Sequence, residues 1–156
     1  MSTRLKDKIY DIAVNAFEVT CFMFSLEEQE IDEPPKISEN IKRAAVDFNG
    51  AAEGRMVIHP SEELLTAVAA NMLGVENPNE EEKSGALCEI ANIICGNIVP
   101  LFADDDAICY VEPPIIIEEN TAGLKDKGDK ETERVQIYLD EGTVEISVYY
   151  SIEVKL

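Results

Sequence analysis

NGAAEGRMVIHPSEELLTAVAANMLG, residues 49–74, changes its hydrophobic rhythm once, and that change decides the fold class. Its Asn, Gly and Ala residues form the turn between two short β-like runs, around residues 41–48 and 54–58, and the pair reads as a hairpin. Ser61 then offers a helix N-cap, with Glu62 and Glu63 placing carboxylates at the positive end of the helix. LLTAVAANML carries that helix to Gly74 as its stop. A hairpin feeding a helix within so few residues points to an α+β chain.

The flanks agree. Upstream, Ser2 is an N-cap for a first helix in which Leu5, Ile9, Ile12, Ala13, Ala16 and Val19 recur at helical spacing, with an end expected near Phe24. EEQEIDEPPKISEN, residues 27–40, is an acidic connector broken by Pro34 and Pro35. Downstream, VENPNEEEK is a short linker into a third helix over about residues 81–101. AICYVEP and PIIIEE are then β-like and split by Pro113 and Pro114. NTAGLKDKGDKETE reads as a loop, and RVQIYLDEGTVEISVYYSIEVKL as a closing hairpin turning at Asp140, Glu141 and Gly142. The expectation is an α+β fold: three helices packed on an antiparallel-rich sheet of about six strands, in one domain over residues 1–156.

With 156 residues, 46% of them hydrophobic, the chain can fill one core without metals or disulfides. Its 32 acidic and 13 basic residues give a formal charge of -19. That charge repels nucleic acid and anionic lipid at long range, so no nucleic-acid or membrane partner is expected. Cys21, Cys88, Cys95 and Cys109 form no CxxC pair and read as free, buried thiols. No apolar run is expected to span a membrane, and MSTRLKDKIYD lacks the apolar core of a signal peptide. A reducing cytoplasm fits these features.

The third helix contains CEIANIICGN, residues 88–97. At about 100° per residue, Leu87, Ile90, Ala91, Ile94, Ile98 and Leu101 share one broad core stripe. Glu89 and Asn92 fall together opposite it, within about 60° of each other, and Gly85 and Gly96 share their sector. Ile93 flanks the pair as an exposed apolar residue. Each glycine costs the helix up to about 1 kcal/mol relative to alanine. Two readings are open: Gly85 is part of the helix entry, Gly96 permits close packing and Glu89 is merely solvated, or the bare strip admits a partner's active site to Glu89 and Asn92. In the second, the Asn92 amide can hold a water in line with a phosphoryl centre without titrating. Glu89, repelled by phosphate, is better suited to meet a Lys or Arg.

GALCEIANIICGNIVP resembles the signature helix of the CheC/CheX/FliY phosphatase family of bacterial chemotaxis, which has Glu, two residues, Asn, and then Gly-Asn. The stretch over residues 49–74 is similar to that family's glycine turn, Gly-Arg strand and Ser-Glu-Glu helix, and EPPIIIEE to its Pro-bearing strand pair. The likeness runs from about Ile41 to the end of the chain. In the second helix Asn71 has Val68, not Glu, three residues before it, so a single, CheX-like site is implied. The resemblance implies a phosphatase acting on the phospho-aspartate of the response regulator CheY. Asn92 would orient the attacking water, Glu89 would pair with a regulator lysine, and Gly85, Ile93 and Gly96 would line the docking strip. It further implies no cofactor of the chain's own, Mg²⁺ on the regulator, and a homodimer joined through strands near the end of the chain.

The rival reading is a non-catalytic module that sequesters a regulator or docks on a signalling or flagellar assembly through the same surface. A remoter one is a small-molecule enzyme centred on His59, although no nucleophile or orienting carboxylate pattern surrounds it. Asp104, Asp105 and Asp106 lack the spacing of a calcium loop and read as a solvated turn. Asn97, about 80° from Glu89, is expected to bond backbone or a neighbouring helix. Cys88 and Cys95 read as packing residues.

Overall fold

The computed structural model describes residues 2–26, 42–103, 108–117 and 131–152. Helix α1 (Ser2–Cys21) precedes the hairpin β1 (Arg43–Gly50) and β2 (Ala52–Pro60), which leads into α2 (Glu62–Leu73) and α3 (Glu80–Ile98). A 3-10 turn, Val99–Leu101, ends α3. Strands β3 (Cys109–Val111), β4 (Ile115–Ile117), β5 (Glu131–Leu139) and β6 (Gly142–Ile152) complete the sheet. This is the expected α+β arrangement of three helices and six strands.

The sheet runs in the order β3-β1-β2-β6-β5, with β4 also paired to β1, and these pairings are antiparallel. Pro113 and Pro114 separate β3 from β4, so the two short strands occupy opposite ends of one β1 edge. Strand alternation sends Ala44, Val46, Phe48, Met56, Ile58, Val135, Ile137, Val144, Ile146 and Val148 into one core shared with all three helices. That core receives Ile9, Ala13 and Phe17 from α1, Leu64, Leu65 and Val68 from α2, and Leu87, Ile90, Ile94 and Ile98 from α3.

Local chemistry sets the element ends. Ser61 Oγ accepts from Leu64 N at 3.3 Å and from Thr143 N at 3.1 Å, so one hydroxyl caps α2 and ties it to the β5–β6 turn. Gly74 closes α2 in the left-handed region at φ 69°, where a side chain is costly. α1 stops at Cys21, short of the expected Phe24. Phe22 takes φ 57°, which cannot continue a right-handed helix, and Asn71 Nδ2 donates to the Cys21 carbonyl at 2.8 Å.

Three further expectations change. The loop read over residues 120–133 is already strand at Glu131, Thr132 and Glu133, which pair with Tyr150, Tyr149 and Val148. The Tyr150 hydroxyl donates towards Glu131 at 3.1 Å and Glu133 at 3.4 Å, which lets acidic residues occupy that strand. Glu80–Leu101 is, by length and composition alone, long and apolar enough to cross a membrane. In the fold its apolar stripe is spent on the sheet and the neighbouring helices. Finally, β6 lies inside the sheet, so among the described strands the closing hairpin offers β5 as its edge, and Leu139 at its end is already bridged by Ser25. The acidic connector over residues 27–40 and the turn at Asp104, Asp105 and Asp106 lie outside the described residues.

Candidate functional site on helix α3

α3 is anchored before it presents anything. Asn79 Oδ1 accepts from Glu82 N at 2.8 Å while Glu82 Oε1 accepts from Asn79 N at 2.9 Å, a reciprocal capping box. Lys42, immediately before β1, donates to Ser84 Oγ at 2.7 Å and lies 3.2 Å from the Glu80 carboxylate. Lys83 bridges Glu62 of α2 at 3.1 Å and Glu80 at 3.6 Å. The hydrogen bond from Lys42, with the charge of Lys83, lowers the Glu80 carboxyl below its ordinary range. These clamps fix the helix start against β1 and α2. No local sequence pattern signals the Lys42–Ser84 contact, which closes across 42 positions.

The far side of the helix is open. Ala86, Leu87, Ile90, Ala91, Ile94, Cys95 and Ile98 are buried, while Gly85, Glu89, Asn92 and Gly96 are exposed. A Cβ placed on Gly85 or on Gly96 would meet no described atom within 4 Å outside the adjacent backbone of its own helix. Gly96 therefore does not pack closely against another described element, whereas the exposure of Glu89 fits both open readings. Ile93 differs from expectation: it is half-buried and packs against the core, because it flanks the buried stripe of α3. Only its outer part can belong to the strip.

Two other asparagines of α2 and α3 have structural partners. Asn97 Nδ2 donates to the Ile93 carbonyl at 2.9 Å, one turn back along its own helix, as expected. Asn71 is committed to the end of α1. Asn92 has no hydrogen bond among the described residues. His59 stands in β2 opposite Glu145, next to the core residue Ile58, so alternation turns it to the sheet face opposite α1, α2 and α3. It is thereby separated from Glu89 and Asn92 by the sheet. Burial pushes the Cys95 thiol up to about 12 and also raises Cys88, which makes both poor nucleophiles at neutral pH. Among the described residues no three His, Cys, Asp or Glu side chains are grouped to hold a metal ion.

What the strip can offer is one anionic group and one neutral donor-acceptor, side by side on a rigid helix with bare backbone above and below. The family model described as Chemotaxis phosphatase CheX matches residues 43–139, more than half of the chain and all of α3. The chain belongs to the CheX family.

Solved CheX structures share its fold throughout. The chemotaxis protein CheX from Vibrio vulnificus superposes with a TM-score of 0.73 at 18% identity, covering 97% of this chain and 99% of that one. A CheC-like superfamily protein from Shewanella sp. PV-4 gives 0.72 at 19% identity, with 97% and 99% covered. The CheX of Borrelia burgdorferi, solved as a CheX-CheY-BeF3-Mg complex, gives 0.68 at 20% identity, with 92% and 96% covered. No curated protein sequence matches this CheX-family chain.

Proposed function

We propose that the chain is a protein phosphatase that hydrolyses the phospho-aspartate of a CheY-type response regulator in the cytoplasm and so ends a chemotaxis signal. The observation that carries this is the pairing of Glu89 and Asn92 on an exposed, glycine-cleared stripe of a core-anchored helix, in a chain of the CheX family. Glu89 forms an ion pair with a regulator lysine, and its main contribution is affinity. Asn92 reaches beside the phosphoryl group and hydrogen-bonds a water, holding it in line with phosphorus. The water oxygen bonds to phosphorus as the bond to the aspartyl oxygen breaks, inorganic phosphate leaves, and the regulator regains its carboxylate.

The magnitudes fit so spare a site. An acyl phosphate already hydrolyses without help, so a group that only orients water, worth about 10² or more in rate, is sufficient. The regulator brings the phosphoryl group and Mg²⁺, in keeping with the Borrelia CheX-CheY-BeF3-Mg complex. In this reading the chain acts as a homodimer. Among the described residues the first half of β5 is the edge left for pairing, since Ser25 and Leu26 already bond at its end.

The test is phosphate release from an acetyl-phosphate-charged regulator. The wild type should accelerate release, and Asn92→Ala should bind normally without accelerating. If wild type and variant both leave the regulator at its own rate, the chain is a binding module and the phosphatase reading fails.

A further inference from the structure

Where α1 ends, the chain exposes three large apolar side chains. Val19 is 67% exposed, Phe22 71% and Phe24 53%, while Met23 between the two phenylalanines is buried and leaves their rings directed away from the core. Phe22 also takes φ 57°, a left-handed conformation that is free for glycine and costly for a bulky side chain. A glycine would end α1 there without strain, and the Phe22 ring is no part of the core. An exposed aromatic residue held in a strained backbone points to a use outside the fold.

The segment is fixed from both sides. The Cys21 carbonyl accepts from Asn71 Nδ2 at 2.8 Å, and Met23 N donates to the Phe17 carbonyl at 3.2 Å. Phe24 N donates to Asp140 Oδ1 at 3.3 Å, Asp140 N donates to the Phe24 carbonyl at 3.1 Å, and Leu26 N donates to the Tyr138 carbonyl at 2.7 Å. Rings carried on such a frame have little freedom left to lose on contact, which suits them as binding anchors.

The surrounding charge selects the partner. Glu18 precedes Val19, Asp140 is bonded to Phe24, Glu141 follows it, and all three are exposed. The segments that meet here contain no Lys, Arg or His over residues 9–26, 60–82 and 135–152. A second copy of the patch is therefore repelled, and so is an anionic lipid surface. We infer that Phe22 and Phe24, with Val19, form a docking surface for a protein segment that presents an apolar anchor flanked by Lys or Arg. The surface shares no residue with the strip on α3 and does not depend on how that strip acts.

The probe is an amphipathic helical peptide with one leucine face and lysines elsewhere, compared with the same peptide carrying glutamates in place of the lysines. Followed by amide chemical shifts, the lysine peptide should saturate and move residues 18–26 and 138–141. Phe22→Gly and Phe24→Ser should each weaken it about tenfold or more, the loss expected of an aromatic anchor. Tyr110→Ser, which removes another exposed ring, should stay near wild type. Phe22→Gly also relieves the left-handed strain and should raise the melting temperature by roughly 2–4 °C. Absence of saturation, shifts spread over the whole acidic surface, equal binding of the glutamate peptide or unchanged affinity in both phenylalanine variants would overturn the inference. So would a lower melting temperature in Phe22→Gly, which would make the ring a support of the fold. Self-association of the wild type in sedimentation, lost in Phe22→Gly, would assign the surface to a second copy and overturn it as well. Phosphate release from the regulator is measured separately, so the phosphatase reading stands or falls on its own.

Discussion

Replacing Gly85 and Gly96 by alanine should make the protein more stable and a worse phosphatase. Both positions lie within α3 and are exposed, and outside the helix's own backbone no described atom lies within 4 Å of the added carbon, so the fold admits the methyl group without strain. Alanine in place of an interior helical glycine contributes up to about 1 kcal/mol, less at Gly96 in the last turn. Together the two changes amount to about 1.5 kcal/mol, which raises the melting temperature of a domain of this size by roughly 3–6 °C. In the proposed complex the same methyl groups stand where a regulator would approach the backbone. A leucine at either position is a larger wedge in a close-fitting surface, and its cost of about 1–3 kcal/mol corresponds to a rise in KM of roughly 5- to 150-fold. Thermal unfolding and phosphate-release kinetics on the same preparations separate the two effects. The reasoning is refuted if Gly85→Leu and Gly96→Leu leave KM at the wild-type value, for the bare strip would then have no bearing on docking.

Three other outcomes follow from the structure. Asn71→Ala removes the donor to the Cys21 carbonyl and should cost about 1 kcal/mol of stability, seen in chemical denaturation, with phosphate release unchanged; slower release would contradict a single site. Gly54→Ala would push a methyl group into the Tyr149 carbonyl and the Phe48 ring, so it should lower the melting temperature by several degrees and reduce soluble yield. Glu80 has a folded pKa below its ordinary value, so its contribution is present above the unfolded carboxylate pKa of about 4.5 and is lost as pH falls through the folded value. Denaturation midpoints measured from pH 6 to pH 3 should therefore fall less steeply in Glu80→Gln than in the wild type.

Much of the fold is legible in the sequence because its determinants are local. Ser61 and Gly74 bound α2 through bonds to residues within one turn. Pro113 and Pro114 break the β3–β4 edge by lacking backbone donors, and the period of α3 separates its core stripe from Glu89 and Asn92. What escapes the sequence depends on contacts between distant segments. The end of α1 is fixed by Asn71, 50 positions away, with a phenylalanine where a glycine would have been a visible stop. The start of β5 hides in a charged run because its partner Tyr150 supplies the hydrogen bonds. Ile93 reads as exposed on an isolated wheel, whereas the helices packed beside α3 cover part of it. Strand order, which leaves β5 and not β6 at the edge, has no local signature at all.

The central claim is that Asn92 performs the chemistry while Glu89 secures the partner. It is tested most directly by measuring both phosphate release and binding of the beryllofluoride-loaded regulator for Asn92→Ala. The account predicts a loss of about 10² or more in the accelerated rate with affinity within a fewfold of wild type. Full acceleration by Asn92→Ala, or its loss only in proportion to weakened binding, would contradict it.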